Sequence, residues 1–196
     1  MDYSYRFLRT MQAFSASLSA LPGVRSVRAA FHNIYGPGAE KTWFFNPALS
    51  GGGALIDLGV HLLDLSLWLL RPHNVRLEEV NLSGAGSVEH AASLLLMLDD
   101  VPFSLEVSWD APLAATEISF EARTQKDLLR WENVDGSFFH FRTLRNQELI
   151  ANSQTTLRED TLRAFASALD SRRPPRLDTR VYALLDSAYG RTGASG

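Results

Sequence analysis

Between Gly51 and Leu70 the chain reads GGGALIDLGVHLLDLSLWLL, apolar enough to be buried on nearly every side, yet holding Asp57, His61 and Asp64. A helix of about four turns is predicted from near Ala54, after the triple glycine, to the residues before Pro72. Buried polar groups are costly unless partnered, so any fold for this chain has to give three of them a face of their own. At ~100° per residue, Asp57, His61 and Asp64 fall within about 60° of one another around such a helix. Leu58, Leu62, Leu65 and Leu69 form a separate stripe a quarter-turn or more away, suited to holding the helix against a sheet. Trp68 continues the polar stripe by one turn, so an aromatic wall would stand beside the charged groups, as in the lining of a pocket.

Proton transfer is the chemistry such a stripe supports. A carboxylate one turn before a histidine can accept the imidazole N–H, fix its tautomer and raise its basicity, which leaves the second nitrogen to take a proton from a substrate hydroxyl. The glycines ahead of the helix would let a substrate approach the backbone closely. Two plainer readings stand beside this one: Asp57 as a carboxylate complementing the helix dipole, and His61 as a satisfied, half-buried histidine. Two carboxylates and an imidazole could also ligate a metal, but nothing else clusters nearby in sequence, and no metal is expected.

Elsewhere the pattern alternates between helix and strand periods. Tyr5, Leu8, Met11, Phe14, Leu18 and Leu21 recur at three- and four-residue steps and predict an amphipathic helix stopped by Pro22-Gly23. VRSVRAAFHN reads as a strand, and IYGPGAEKTWFFNPALSGGG as a long loop whose aromatics (Tyr35, Trp43, Phe44, Phe45) favour an ordered, functional segment. Phe103, Leu105, Val107 and Trp109, and then Ile118, Phe120 and Ala122, alternate with polar residues and predict strands buried on one face. ASLLLMLDD, apolar on both faces, reads as a central strand; DLLRWE and SFFHFRTL read as further strands joined through a turn at Asn133 to Gly136. Short connections predict an antiparallel meander. Two closing helices flank the breaker Pro174-Pro175. The predicted fold class is α+β, one domain over residues 1–196, an open, mostly antiparallel sheet with helices packed on one face. No G-x-G-x-x-G loop follows any strand, so no Rossmann nucleotide domain is expected in this chain.

Composition narrows the partners. A net charge of −3, with lysine only at Lys41 and Lys126, offers no concentrated basic surface for nucleic acid. The chain has no cysteine, which removes disulfides, thiolate catalysis and thiolate metal sites. Its N-terminus lacks the pattern of a signal peptide, and the apolar run carries aspartates that would be costly in lipid; a cytoplasmic protein with no membrane partner is expected.

GGGALIDLGVHLLD closely resembles the signature G-G-G-x-L-x-D-x-G-x-H-x-x-D of the Gfo/Idh/MocA family of NAD(P)-dependent oxidoreductases. YSYRF resembles the family's segment opening the helix after the nucleotide domain, TWFFNPALSGGG its substrate loop, and the tail its closing helices. The resemblance covers nearly the whole chain as the family's C-terminal domain. It implies that His61 is the acid/base for the substrate hydroxyl or carbonyl, Asp57 its partner and Asp64 a support at the helix. Arg6, Trp43, Asn46 and Trp68 are weaker substrate-pocket residues; structurally, Arg6 could instead be a helix surface charge, Trp43 core, and Asn46 a pre-proline turn residue. The implied substrates are sugars, polyols and related cyclic hydroxy compounds, and the implied cofactor is NAD or NADP. Family members hold that cofactor on an N-terminal Rossmann domain with a Glu-Lys-Pro segment, in which neither Lys41 nor Lys126 sits. No tight cofactor binding by this chain alone is therefore expected. It would be the substrate-binding and oligomerisation part of an oxidoreductase, self-associating through its sheet face, or working with a separate Rossmann chain. The alternative is a non-catalytic binding or oligomerisation module.

Overall fold

A computed structural model of the chain describes residues 4–34, 36, 38, 40–84, 86–154, 157–171 and 178–190. Tyr35 and the Pro174-Pro175 breaker lie outside the described residues.

Ser4–Phe7 forms a 3-10 turn and Arg9–Ser19 the helix α1, separated at Leu8 by an extended backbone (ψ 133°). The single helix expected from Tyr5 to Leu21 is thus two pieces, and Met11, Phe14 and Leu18 bury the face that the spacing predicts. Strand β1 (Ser26–His32) follows. Pro47–Ser50 is a single helical turn, α2, with Asn46 at its N-cap, and Gly51 closes it in the left-handed conformation (φ 80°). The apolar run then begins with a π turn, Leu55–Gly59, and continues as α3 (Val60–Leu70), which stops where Arg71 turns left-handed (φ 48°) before Pro72. By length and composition the helical run Pro47–Leu70 could cross a membrane (mean hydropathy 1.6), but 67% of its apolar window is buried inside the protein.

Seven further strands complete one sheet: β2 (Val75–Ser83), β3 (Ala91–Leu98), β4 (Val101–Ser108), β5 (Glu117–Arg123), β6 (Leu128–Asn133), β7 (His140–Arg145) and β8 (Glu148–Gln154). The helices α4 (Leu157–Ser171) and α5 (Arg180–Ala188) close the chain. The sheet runs β2-β3-β4-β1-β5-β6-β7-β8, open and mostly antiparallel as expected, with one departure. β1 slots between β4 and β5, parallel to the former and antiparallel to the latter. The meander is therefore interrupted between β4 and β5, where the 109–116 connection steps over the inserted strand; two-residue turns join β3 to β4 and β7 to β8, and longer ones join the remaining neighbours. β3 is second from the edge rather than central; Ala92, Leu94, Leu96 and Leu98 face the core while Ala91, Ser93, Leu95 and Met97 are half-buried on the other side.

α1 packs across β6, β7 and β8, and α3 across β1 and β4, with α5 bridging α3 and β2. Between these layers sit Phe14, Phe103, Phe120, Trp131 and Phe141, all nearly inaccessible. The opposite face of the sheet is a ladder of charges: Arg28 to Glu106 at 3.1 Å, Arg130 to Glu132 at 2.6 Å, and Arg142 Nε to Glu132 Oε1 at 2.7 Å.

Candidate functional site

The helix that carries the site is capped from a distance. Glu89, just ahead of β3, accepts the Gly53 N–H on both carboxylate oxygens (2.9 Å each) and the Leu55 N–H at 3.0 Å, while its carbonyl accepts from Ala54 at 3.0 Å. Tyr189 donates its hydroxyl to the same carboxylate at 2.6 Å, and burial first, then this bond and charge, push its phenol up. A negative group at this end satisfies orphan N–H groups and complements the dipole. The glycines follow from this packing. A Cβ on Gly53 would stand 1.8 Å from the Glu89 carbonyl oxygen, and one on Gly52 2.2 Å from the Tyr189 hydroxyl. Their space is filled by protein, so the close approach they permit is to Glu89 and Tyr189 rather than to a substrate.

The π turn carries Asp57. An i→i+5 turn inserts one extra residue, so side chains four apart no longer stand directly above one another. Asp57 accepts its side-chain hydrogen bond from Trp109 Nε1 (2.9 Å), not from the His61 imidazole as regular helical spacing suggests. Burial pushes the Asp57 carboxyl up, against the opposing pull of the Trp109 bond and the Lys41 charge. His61, half-buried one turn on, meets the buried Tyr5 ring edge-on at 5.6 Å. Burial, with the Asp57 charge as a second cause, drives the Tyr5 phenol up. Asp57, His61 and Tyr5 thus form one cluster, although spacing alone marks Tyr5 only as an apolar helix position.

Asp64 and Arg6 face each other instead of solvent. Arg6 grips the carboxylate as a fork, Nε to Oδ2 at 2.5 Å and Nη2 to Oδ1, with Asp64 1% and Arg6 6% exposed. Burial raises the Asp64 carboxyl and the Arg6 fork pulls it back. The guanidinium also lies 5.9 Å from the Trp68 ring centre. Arg6 is therefore no surface charge: it ties the first turn of the chain to α3. Trp43 is 50% exposed and so not core, and Asn46 caps α2 by accepting from Ala48 N–H at 3.0 Å, a local structural task. Glu89, Trp109 and Tyr189 carry no local sequence signal as site residues, because each reaches the helix from a remote element. Among the described residues no group of three or more His, Asp and Glu side chains could hold a metal ion.

Ionised Asp57 is predicted to cost stability. Because its folded pKa lies above the ordinary 3.8, the folded state keeps a proton that the unfolded chain has lost, and stability falls as pH rises from about 3.8 through the folded value. Asp57→Asn, which still offers Trp109 an acceptor, should therefore melt higher than the wild type at pH 7 and lose that acidic pH dependence. Thermal melts at acidic and neutral pH decide this; a lower melting temperature for the variant at pH 7 would refute it.

Solved structures with this fold include GenD2 from gentamicin A biosynthesis in complex with NAD (25% identity, TM-score 0.71, covering 99% of this chain and 61% of that one). Levoglucosan dehydrogenase in complex with NADH and L-sorbose is another (15% identity, TM-score 0.75, 98% and 62%). A third is a 3-ketoreductase from Actinomadura kijaniata in complex with NADP and TDP-benzene (18% identity, TM-score 0.70, 95% and 58%). The fold is thus one found in nicotinamide-dependent dehydrogenases and reductases, of whose length this chain spans about three fifths. The sequence also matches the GFO/IDH/MocA C-terminal domain over residues 20–129, more than half of its length, and the chain belongs to that family. No curated protein is significantly similar in sequence.

Proposed function

We propose that this chain is the substrate-binding part of an NAD(P)-dependent oxidoreductase acting on the CH–OH group of a sugar, polyol or related cyclic hydroxy compound. The observation that carries the reading is the cluster at the start of α3, a half-buried imidazole and a half-buried carboxylate one turn apart in a stretch that resembles the family's signature. In it His61 holds or delivers the proton of the substrate hydroxyl, Asp57 supplies the charge that stabilises the imidazolium as it forms, and the Arg6–Asp64 fork fixes α3. Trp43, exposed on the loop before the helix, is the aromatic surface against which a sugar ring would rest.

The start of the long helix offers no open N–H groups to a dinucleotide phosphate. The N–H groups at 53 and 55, where a helix N-terminus would take a phosphate, are already held by Glu89. The cofactor therefore belongs on a separate domain or chain, in a protein expected in the cytoplasm. That same capping favours a second reading, a non-catalytic binding module associating through the charged outer face of the sheet.

The deciding experiment is His61→Ala in the complete enzyme, this chain together with its nucleotide-binding part. Loss of a general acid/base should lower kcat/KM by roughly 10²–10⁴-fold with folding intact by circular dichroism. Unchanged activity would leave only the second reading.

A further inference from the structure

Trp109 follows β4 at the site end of the sheet and plays no part in the reaction just proposed, yet it is among the most constrained side chains of the protein. It is 2% exposed. Its backbone is held at both ends, N–H donating to the His90 carbonyl at 2.8 Å and carbonyl accepting from Gly36 at 2.9 Å. Phe45 (5.8 Å, 70°), Phe44 (6.2 Å, 68°) and His90 (5.7 Å, 57°) pack around the indole. The loop that brings in the two phenylalanines is itself tied down, since Ser87 donates its hydroxyl to the Phe45 carbonyl. A buried indole N–H needs an acceptor, and for Trp109 that acceptor is Asp57, at 2.9 Å.

The arrangement has a chemical consequence. A carboxylate oxygen committed to an indole is aimed by the indole, and the indole is aimed by the aromatics of the 42–45 turn. We propose that Trp109 is a positioning residue for Asp57: seated between Phe45, Phe44 and His90, it sets the direction of the carboxylate and thereby how strongly Asp57 acts on His61. Whatever shifts the 42–45 turn, a substrate resting on Trp43 included, then reaches the acid/base pair through the indole. The inference rests on the proposed role of Asp57 and His61. The charged or titratable groups facing Asp57 are Tyr5 from the first turn and Lys41 from the loop, with His61 one turn on against the Tyr5 ring, and His90 and its partner Asp110 (3.4 Å) behind the indole.

Carboxylate, imidazole and indole NMR on the chain itself tests this without any activity. In the wild type the Trp109 indole N–H resonance should move as Asp57 titrates, and Asp57→Asn should abolish the movement. Trp109→Phe removes a donor that favours the charged carboxylate and frees it to turn toward His61, so the His61 midpoint should rise, while the Asp57 midpoint moves by the difference between the lost indole bond, which raises it, and the imidazolium, which lowers it. Phe45→Ala, which takes away one wall of the indole's seat, should shift the His61 midpoint the same way by less. A His61 midpoint unmoved in Trp109→Phe would overturn the proposal. Should that variant not fold, a wild-type indole resonance indifferent to the Asp57 titration would overturn it equally. Coupled shifts found alongside an Asp57→Asn complete enzyme of unaltered kcat/KM would uphold the positioning role and dismiss the catalytic reading.

Discussion

Gly53→Ala should destabilise this protein by more than about 3 kcal/mol, above the usual cost of overpacking, and so remove a large part of a typical total stability of roughly 5–15 kcal/mol. The added Cβ would lie 1.8 Å from the Glu89 carbonyl oxygen. Neither side can give way cheaply, because the contact is backbone on backbone and the same two segments share four hydrogen bonds between residues 53–55 and Glu89. Relieving the clash means uncapping the helix that carries Asp57 and His61. Gly23→Ala is the control: Gly23 is left-handed (φ 61°), but its added Cβ meets nothing within 4 Å, and only about 1 kcal/mol of backbone strain is expected. Thermal melts separate the two, since 1 kcal/mol corresponds to roughly 2–4 °C in a chain of this size. A Gly53→Ala protein melting beside the Gly23→Ala control would mean that the Glu89 cap is dispensable.

Arg6→Ala is expected to be comparably damaging, at about 3–5 kcal/mol. It leaves Asp64, 1% exposed, as an unpartnered charge and strips a cation from Trp68. The variant relieves itself by protonating Asp64, so its stability should recover on acidification, where the wild type has its fork intact. Replacing both members with apolar residues of similar volume, Arg6→Met with Asp64→Leu, should restore much of the loss, because the charges are then removed together. A double-mutant cycle in urea measures the coupling. If the two single substitutions simply add, Arg6 and Asp64 do not act as a pair and something other than their fork holds the first turn to α3.

The long helix is legible in the sequence because its signals are local. The glycines before it, the Leu58/Leu62/Leu65 stripe and Pro72 all act within a few turns, and β4 and β5 are equally plain in the alternation of 103–109 and 117–123. Val75–Ser83 and Glu148–Gln154 leave no such mark, for the opposite reason. They are the sheet's two edges, exposed along most of their length, and carry no buried face to imprint a period of two. The insertion of β1 is invisible because pairing between residues 26–32 and two later strands has no neighbouring-residue signature. At the site, helical spacing brings Asp57, His61 and Asp64 onto one helix but misjudges their partners. The π turn shifts the phase that a 3.6-residue repeat assumes, and Trp109, Glu89 and Arg6 arrive from 52, 36 and 58 positions away.

The position of β1 also governs the order in which the chain can assemble. The strand appears early, but its two neighbours are 101–108 and 117–123, so on an emerging polypeptide Val27, Ala29 and Phe31 stay without a sheet until most of that later sequence has been made. β3 and β4 can meet at once as a hairpin, and so can β5, β6 and β7; β1 is the seam that joins these halves. Non-local pairing of this kind slows folding and leaves apolar strand surface open to aggregation meanwhile. The cluster on α3, which packs over β1 and β4, would be among the last parts of the molecule to take shape.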